Sequence, residues 1–234
     1  MVNRLNAKGK LRKGTVDFHK KNNAKSRFIV CLTGMPGAGK STVANSLIRE
    51  GFSLISMGDL VRNEAKRKNL KPSDANLGNL MILLRNSLGA GAIARLIVDE
   101  IEKRELTGGN ASQNIVVDGV RSIPEVRVLK TVGRVKLLAI HASANTRFEH
   151  LRKRQREDAP LNKNDFCVRD KRELAVGISE AIALADETLS NNNLSVEELR
   201  EKAVEIVQKW ADEINKDDHT LTVNDPVKRN RSLA

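Results

Sequence analysis

The sequence has no tyrosine, one tryptophan and five phenylalanines in 234 residues, so the aromatic platforms on which nucleic-acid bases stack are scarce. Its two cysteines, Cys31 and Cys167, are too few and too far apart for a disulfide framework or a thiolate metal site. Reduced cytoplasmic thiols are the plain expectation. Long apolar runs are missing as well. Phe28–Thr33, Leu80–Leu84 and Leu137–Ile140 fall far short of the ~18 residues that a membrane span needs. No apolar run follows the basic N-terminus, as a secretory signal would require. No linker rich in Pro, Gly and Ser divides the chain, which favours one domain over two.

Charge is plentiful but unevenly distributed. The chain is 30% charged and 40% hydrophobic, with a formal net charge of +12. Residues 1–27 hold nine Lys and Arg against one Asp, residues 216–234 are nearly balanced, and the body from 28 to 215 carries only +3. The segment 1–27 has no periodic apolar face and reads as a disordered basic arm, with a similar flexible tail over 216–234. The arm is either a solvated tail or a site of weak RNA contact.

Between these ends the apolar pattern alternates. Phe28–Thr33 reads as a buried strand and Lys40–Glu50 as a helix with Val43, Leu47 and Ile48 on one side. Ser53–Ser56 is a second strand, followed by a helical block over Leu60–Asn69, Asp74–Leu88 and Gly91–Glu105. A strand at Ile115–Val117 ends in Asp118, Pro124–Thr131 is helical, Val135–His141 is a strand, and Asn145–Glu157 is a basic helix. A helical pair over Asp165–Ala185 leads to a last strand at Thr188–Ser190. Ser195–Asn215 is the most regular helix, with Leu199, Ala203, Ile206, Trp210 and Ile214 on one face and Ser195 with Glu198 as its capping box. This alternation predicts an α/β fold: a five-stranded parallel sheet with helices on both faces.

The sharpest chemical signal lies between the first strand and first helix. Gly34-Met35-Pro36-Gly37-Ala38-Gly39-Lys40-Ser41, with Thr42 following, is a complete G-x-x-x-x-G-K-S sequence. Glycines let the backbone wrap phosphate oxygens with its N–H groups, and the helix beginning there adds its positive dipole end. Lys40 reaches the β- and γ-phosphates and the Ser41 hydroxyl can ligate Mg²⁺. The pattern therefore predicts a P-loop that binds ATP with magnesium. Asp118, at the end of an apolar strand, is the expected second oxygen ligand of that metal, unless it serves only the turn that follows.

Ser56-Met57-Gly58-Asp59-Leu60-Val61-Arg62 closes the second strand. Here the chain resembles adenylate kinase and its relatives, which carry Gly, an acid, two apolar residues and Arg at this place, and Asp-Gly before a second arginine after the third strand. The resemblance implies that Arg62 and Arg121 hold the acceptor's phosphate, with Asp59 beside them. Val120-Arg121-Ser122 is one residue shorter than the adenylate kinase pattern and lacks its proline. Two guanidiniums suit a phosphate, which each can bind bidentately. Nucleotide kinases also close an arginine-bearing lid over the triphosphate. By that likeness residues 147–175 form the lid and 57–110 an acceptor-binding insertion, with Arg147 or Arg154 and Arg169 or Arg172 acting on the transferring group. Arg154 and Arg169 are the pair taken here. Asn191, in a loop of three asparagines, resembles the adenine-side loop of dephospho-CoA kinase.

Taken together, the runs Gly-Met-Pro-Gly-Ala-Gly-Lys-Ser, Ser-Met-Gly-Asp-x-x-Arg, Val-Asp-Gly-x-Arg-Ser and Arg-Asp-x-Arg-Glu-Leu resemble an archaeal family of P-loop kinase-like proteins. That family is related to both adenylate kinase and dephospho-CoA kinase, and the likeness spans about residues 28–215. It implies a nucleotide-kinase fold without fixing an acceptor. Two arginines favour a small phosphorylated acceptor, a nucleoside monophosphate with AMP first. Transfer to a hydroxyl, with Asp59 as base, is the alternative. A P-loop ATPase or switch working with a protein or RNA, and a degenerate fold that binds nucleotide without turnover, stay open beside them.

Overall fold

The computed structural model describes residues 27–106, 113–153 and 160–223. Strand β1 (Phe28–Thr33) is buried at all six positions, as its unbroken apolar run requires of a central parallel strand. It lies between β3 (Asn114–Asp118) and β4 (Arg134–His141), with β2 (Ser53–Ser56) beyond β3 and β5 (Glu187–Ser190) beyond β4. All pairings are parallel. The period of two along β1 divides the core. Phe28, Val30 and Leu32 face one side with α1 (Lys40–Arg49) and α9 (Val196–Val223), where Val43, Leu47, Leu199, Val207 and Trp210 pack. Ile29 and Cys31 face the other, with Met57 and Val61 of α2 (Met57–Arg67), Leu77 and Leu80 of α3 (Asp74–Leu88), Ile93 and Ile97 of α4 (Ala92–Leu106) and Val126 of α5 (Ile123–Leu129). Cys31 is sealed there, and burial pushes its thiol far above the usual range, so it is unreactive.

The register of the sheet brings the chemistry together. Leu32 of β1 and Ser56 of β2 both pair with Asp118 of β3. The Gly119 and Val120 N–H groups then donate to Leu32 O at 3.1 Å. Three carboxyl strand ends thus meet where the first glycine turn leaves β1. α6 (Ala144–Lys153), α7 (Lys163–Ala175) and α8 (Ile178–Ala183) follow β4. Among the described residues no single helix is long and apolar enough to cross a membrane; α3 and α4 pass that test only as a pair bent by 87°.

Among the boundaries that differ from the sequence expectation, three have a physical reason. Arg27, assigned to the basic arm, belongs to the body. Its guanidinium is buried, donates to Val132 O at 2.7 Å and pairs with Glu105. Helix α2 starts at Met57 rather than Leu60, because Ser56 caps it by accepting from Asp59 N–H at 3.2 Å. At the other end α9 continues to Val223, eight residues past Asn215 into the expected tail. Neither Gly nor Pro interrupts it before Pro226, so nothing in the backbone stops it. Of the basic helix expected over Asn145–Glu157, α6 supplies Ala144–Lys153, and residues 154–157 lie outside the described residues.

Candidate active site

The loop between β1 and α1 is shaped by glycines that no other residue could replace. Gly34 has φ +136° and Gly37 φ +84°. A Cβ on the first would meet the backbone carbonyl of Ile140, and on the second that of Arg147. Ala38 N–H donates to Met35 O at 3.1 Å and Thr42 N–H to Gly39 O at 3.0 Å, joining the loop to the first helical turn. α1 has neither a side-chain cap nor an acid in its first turn. The amide donors of that turn and the positive end of its dipole are therefore suited to an external anion. Lys40 Nζ donates to Gly34 O at 2.7 Å and Met35 O at 3.3 Å, so its ammonium spans the loop.

The residues for magnesium also fit. Ser41 Oγ donates to Asp118 Oδ2 at 3.4 Å, while Asp118 Oδ1 is buried with no hydrogen-bond partner among the described residues. A buried carboxylate oxygen in that condition beside a hydroxyl is suited to a hard cation. Among the described residues no cluster of three or more His, Cys, Asp or Glu could hold a metal by itself. Magnesium there would complete its shell with waters and phosphate oxygens, as it commonly does.

Lys40, Ser41 and Asp118 line one cavity together with Arg62, Arg121, Arg169 and Glu173. Four cations and two carboxylates thus share a small space beside the glycine loop. Arg62 reaches it from the first turns of α2. Its Nη2 and Nε donate to Asp59 Oδ1 at 2.5 and 3.2 Å. Asp59, expected as a base or acceptor ligand, is not among the residues lining the cavity, and its side chain is 63% exposed.

Arg121 is held from three directions. Nε donates to Glu173 Oε2 at 2.6 Å, Nη1 to Gly119 O at 2.8 Å, and its backbone N–H to Glu125 Oε2 at 2.7 Å. Glu125, fully buried, accepts from Arg85 Nη2 of α3 at 2.5 Å through its other oxygen. Burial would lower the Arg121 pKa, but Glu173, with Glu125 and Asp118 adding, raises it instead. Burial would raise that of Glu173, yet Arg121, then Lys40 and Arg169, hold it below the usual carboxylate range. The pair is ionised on both sides.

The arginine-rich segment separates into distinct roles. Arg169 lines the cavity. Arg154 lies outside the described residues. Arg172 lies against Gly78 of α3. Arg147 is buried and joins α6 to α7 and the loop. It binds Asp170 bidentately at 2.9 and 2.6 Å, donates to Pro36 O at 3.2 Å and sits 4.8 Å above the Phe166 ring. Asn191, expected near the adenine, is instead buried under the glycine loop, where Nδ2 donates to Ala38 O at 2.8 Å. Two supporting residues carry no expectation from the sequence: Glu173, which holds Arg121, and His150, whose Nδ1 lies 2.9 Å from Gly37 O of the loop. For His150 the sequence carries no signal, since its partner is a backbone atom 113 positions away. Glu173 could have been suspected from the acid within the Arg-Asp-x-Arg-Glu-Leu run.

A family model described as an AAA domain matches residues 33–165. A Hyperthermus butylicus protein named UPF0200 is 37% identical over 183 residues, covering 78% of this chain and 95% of that protein. A UPF0200 protein of Thermococcus kodakarensis is 39% identical over 190 residues, covering 80% and 98%. The chain belongs to the UPF0200 family. Its fold is the expected α/β one, a five-stranded parallel sheet with helices on both faces and a glycine loop after β1. Among solved structures, TT1252 from Thermus thermophilus superposes with a TM-score of 0.56 at 19% identity, covering 80% of this chain and 98% of that one, a likeness of fold. The UPF0200 likeness extends well beyond the glycine loop, to four fifths of the chain.

Proposed function

We propose that this UPF0200 protein is a small-molecule kinase that moves the γ-phosphate of ATP to a phosphate-bearing acceptor, a nucleoside monophosphate with AMP first. The observation that carries the reading is that Lys40, Ser41 and Asp118 share one cavity with Arg62 and Arg121. In this reading the glycine loop and the start of α1 bind the triphosphate through backbone N–H groups, and Lys40 bridges its outer phosphates. Ser41 and Asp118 would hold magnesium, which would supply neutralisation of phosphate charge. Arg62 and Arg121 bind the acceptor's phosphate and align its oxygen with the γ-phosphorus. Arg169, on the α6–α7 lid, faces the charge that spreads over the transferring group. Phosphoryl transfer asks mainly for positioning and charge neutralisation, and four cavity cations supply both.

Transfer to a hydroxyl with Asp59 as base has less support, because Asp59 is bound by Arg62 and does not line the cavity. An ATPase or switch acting on a protein or RNA needs no acceptor arginines. The test is ADP release from ATP with each nucleoside monophosphate, with dephospho-CoA, and with no acceptor. Release should depend on the acceptor, and Lys40→Ala should lower it by on the order of 10²–10³-fold with an unchanged melting curve. Arg62→Ala should raise the acceptor KM far more than that of ATP. Release at the same rate without acceptor would replace the kinase with an ATPase.

A further inference from the structure

Both arginines assigned to the acceptor's phosphate already hold a carboxylate of the protein, and the two pairs are unlike. Arg62 is bound by Asp59 of its own helix, with side chains 34% and 63% exposed. Solvent screens such a pair, and its members separate at little cost. Arg121 is bound by Glu173 of α7, 52 positions along the chain, with side chains 17% and 7% exposed. A buried pair of this kind leaves a costly lone charge when one partner is withdrawn, unless another charge takes its place.

The surroundings of Glu173 resemble those of a bound anion. Its carboxylate lies in the combined field of Arg121, Lys40 and Arg169, all of which line the cavity. That is the field a phosphate would feel. Arg121, for its part, does not depend on Glu173 for its place. Its backbone is tied to Glu125, and Glu125 to Arg85 of α3. Its Nη1 is tied to Gly119 O.

We propose that Glu173 is a placeholder for the acceptor's phosphate, occupying Arg121 until a phosphate monoester dianion displaces it. The proposal rests on the reading of Arg121 as an acceptor arginine. It makes Glu173 a specificity-determining residue. A monoester dianion brings more charge and more acceptor oxygens than the carboxylate it replaces, whereas a phosphodiester or a neutral hydroxyl does not. Displacement also releases one of the ties on α7, the helix that carries Arg169, while Arg147 keeps its hold on Asp170. Acceptor binding and the position of Arg169 are thereby linked through a single carboxylate.

The test is Glu173→Gln, which keeps the size and removes the charge. Inorganic phosphate is titrated calorimetrically into wild type and variant, with Mg·ADP saturating so that the glycine loop is filled. The variant should bind phosphate about tenfold more tightly or better, because Arg121 loses its directly bonded counter-charge. The gain should vanish in the double variant with Arg121→Gln, and dimethyl phosphate should show little of it. Unchanged phosphate affinity, with or without a lower Tm, would make Glu173 a structural residue and overturn the proposal. So would a hundredfold loss of turnover at saturating AMP with phosphate affinity unchanged, which would make Glu173 a proton acceptor. Should Glu173→Gln fail to fold, Glu173→Asp, whose shorter side chain loosens the pair, is held to the same outcomes. Tighter phosphate binding in a protein that phosphorylates no acceptor would uphold the placeholder and sink the kinase reading alone.

Discussion

The glycine loop and the arginine-bearing side of the site, which we propose to serve the acceptor and the lid, meet in one cavity but are built on different principles. The loop Gly34–Ser41 is contiguous, and its geometry is written in backbone angles and close carbonyl contacts. The arginine-bearing side depends on charged pairs between distant elements: Arg121 with Glu173, Arg85 with Glu125, Arg147 with Asp170. A phosphate-binding loop can therefore be recognised from eight consecutive letters. The pairs that aim the arginines exist only once the chain has folded.

The sharpest way to break the first region is Gly37→Ala. The position combines φ +84° with a Cβ that would strike the Arg147 carbonyl, a backbone atom that cannot swing aside. We expect a cost of more than about 2 kcal/mol and loss of ATP binding, read by thermal unfolding and nucleotide titration. A variant that folds and binds ATP normally would mean that the loop tolerates a side chain, and the contrast between the two regions would fail.

The second region is best broken at Arg147. Arg147→Ala strands Asp170, frees Pro36 O and removes the cation from the face of Phe166. Removing one partner of a buried ion pair costs about 3–5 kcal/mol, which for a domain of this size lowers Tm by on the order of 10 °C. ATP affinity should fall with it, since Arg147 also holds the loop through Pro36. If stability fell while ATP affinity stayed unchanged, Arg147 would serve only the contact between α6 and α7.

This contrast also explains what was legible beforehand. β1, β2 and α3 stand at the limits their apolar patterns set, because burial imposes a period that the letters carry. Lys40, Ser41, Asp118, Arg62 and Arg121 stand out in the sequence because each lies at a strand end or in a helix-starting motif, and all five line one cavity. Ser56 hid the start of α2, because one residue both ends a strand and caps a helix. Arg147 was one of six arginines in a segment with no internal means of ranking them. Its distinction comes from Asp170, 23 positions on, and Pro36, 111 positions back. Asn191 lies in a loop that resembles an adenine-side loop, and its side chain turns inward to the Ala38 carbonyl. Local chemistry could be read, while the direction of a long side chain could not.

The smallest expected effect belongs to a device as local as the glycine loop yet remote from the chemistry. Ser195 N–H donates to Glu198 Oε2 at 2.8 Å, and Glu198 N–H donates to Ser195 Oγ at 3.1 Å, the reciprocal capping box its four-letter spacing predicts. The Ser195 backbone N–H first, and then the Ser195 hydroxyl, hold the Glu198 carboxyl below the usual range. These bonds start α9, whose Leu199, Ala203, Val207 and Trp210 cover the same core face as Val43 and Leu47 of α1. Ser195→Ala should cost about 1 kcal/mol, a Tm change of about 2–4 °C. ATP affinity should not change, because the rest of α9 still packs behind α1. A clear loss of ATP affinity would show that the start of α9 helps to hold the glycine loop, and that the loop is less self-sufficient than its contiguous sequence suggests.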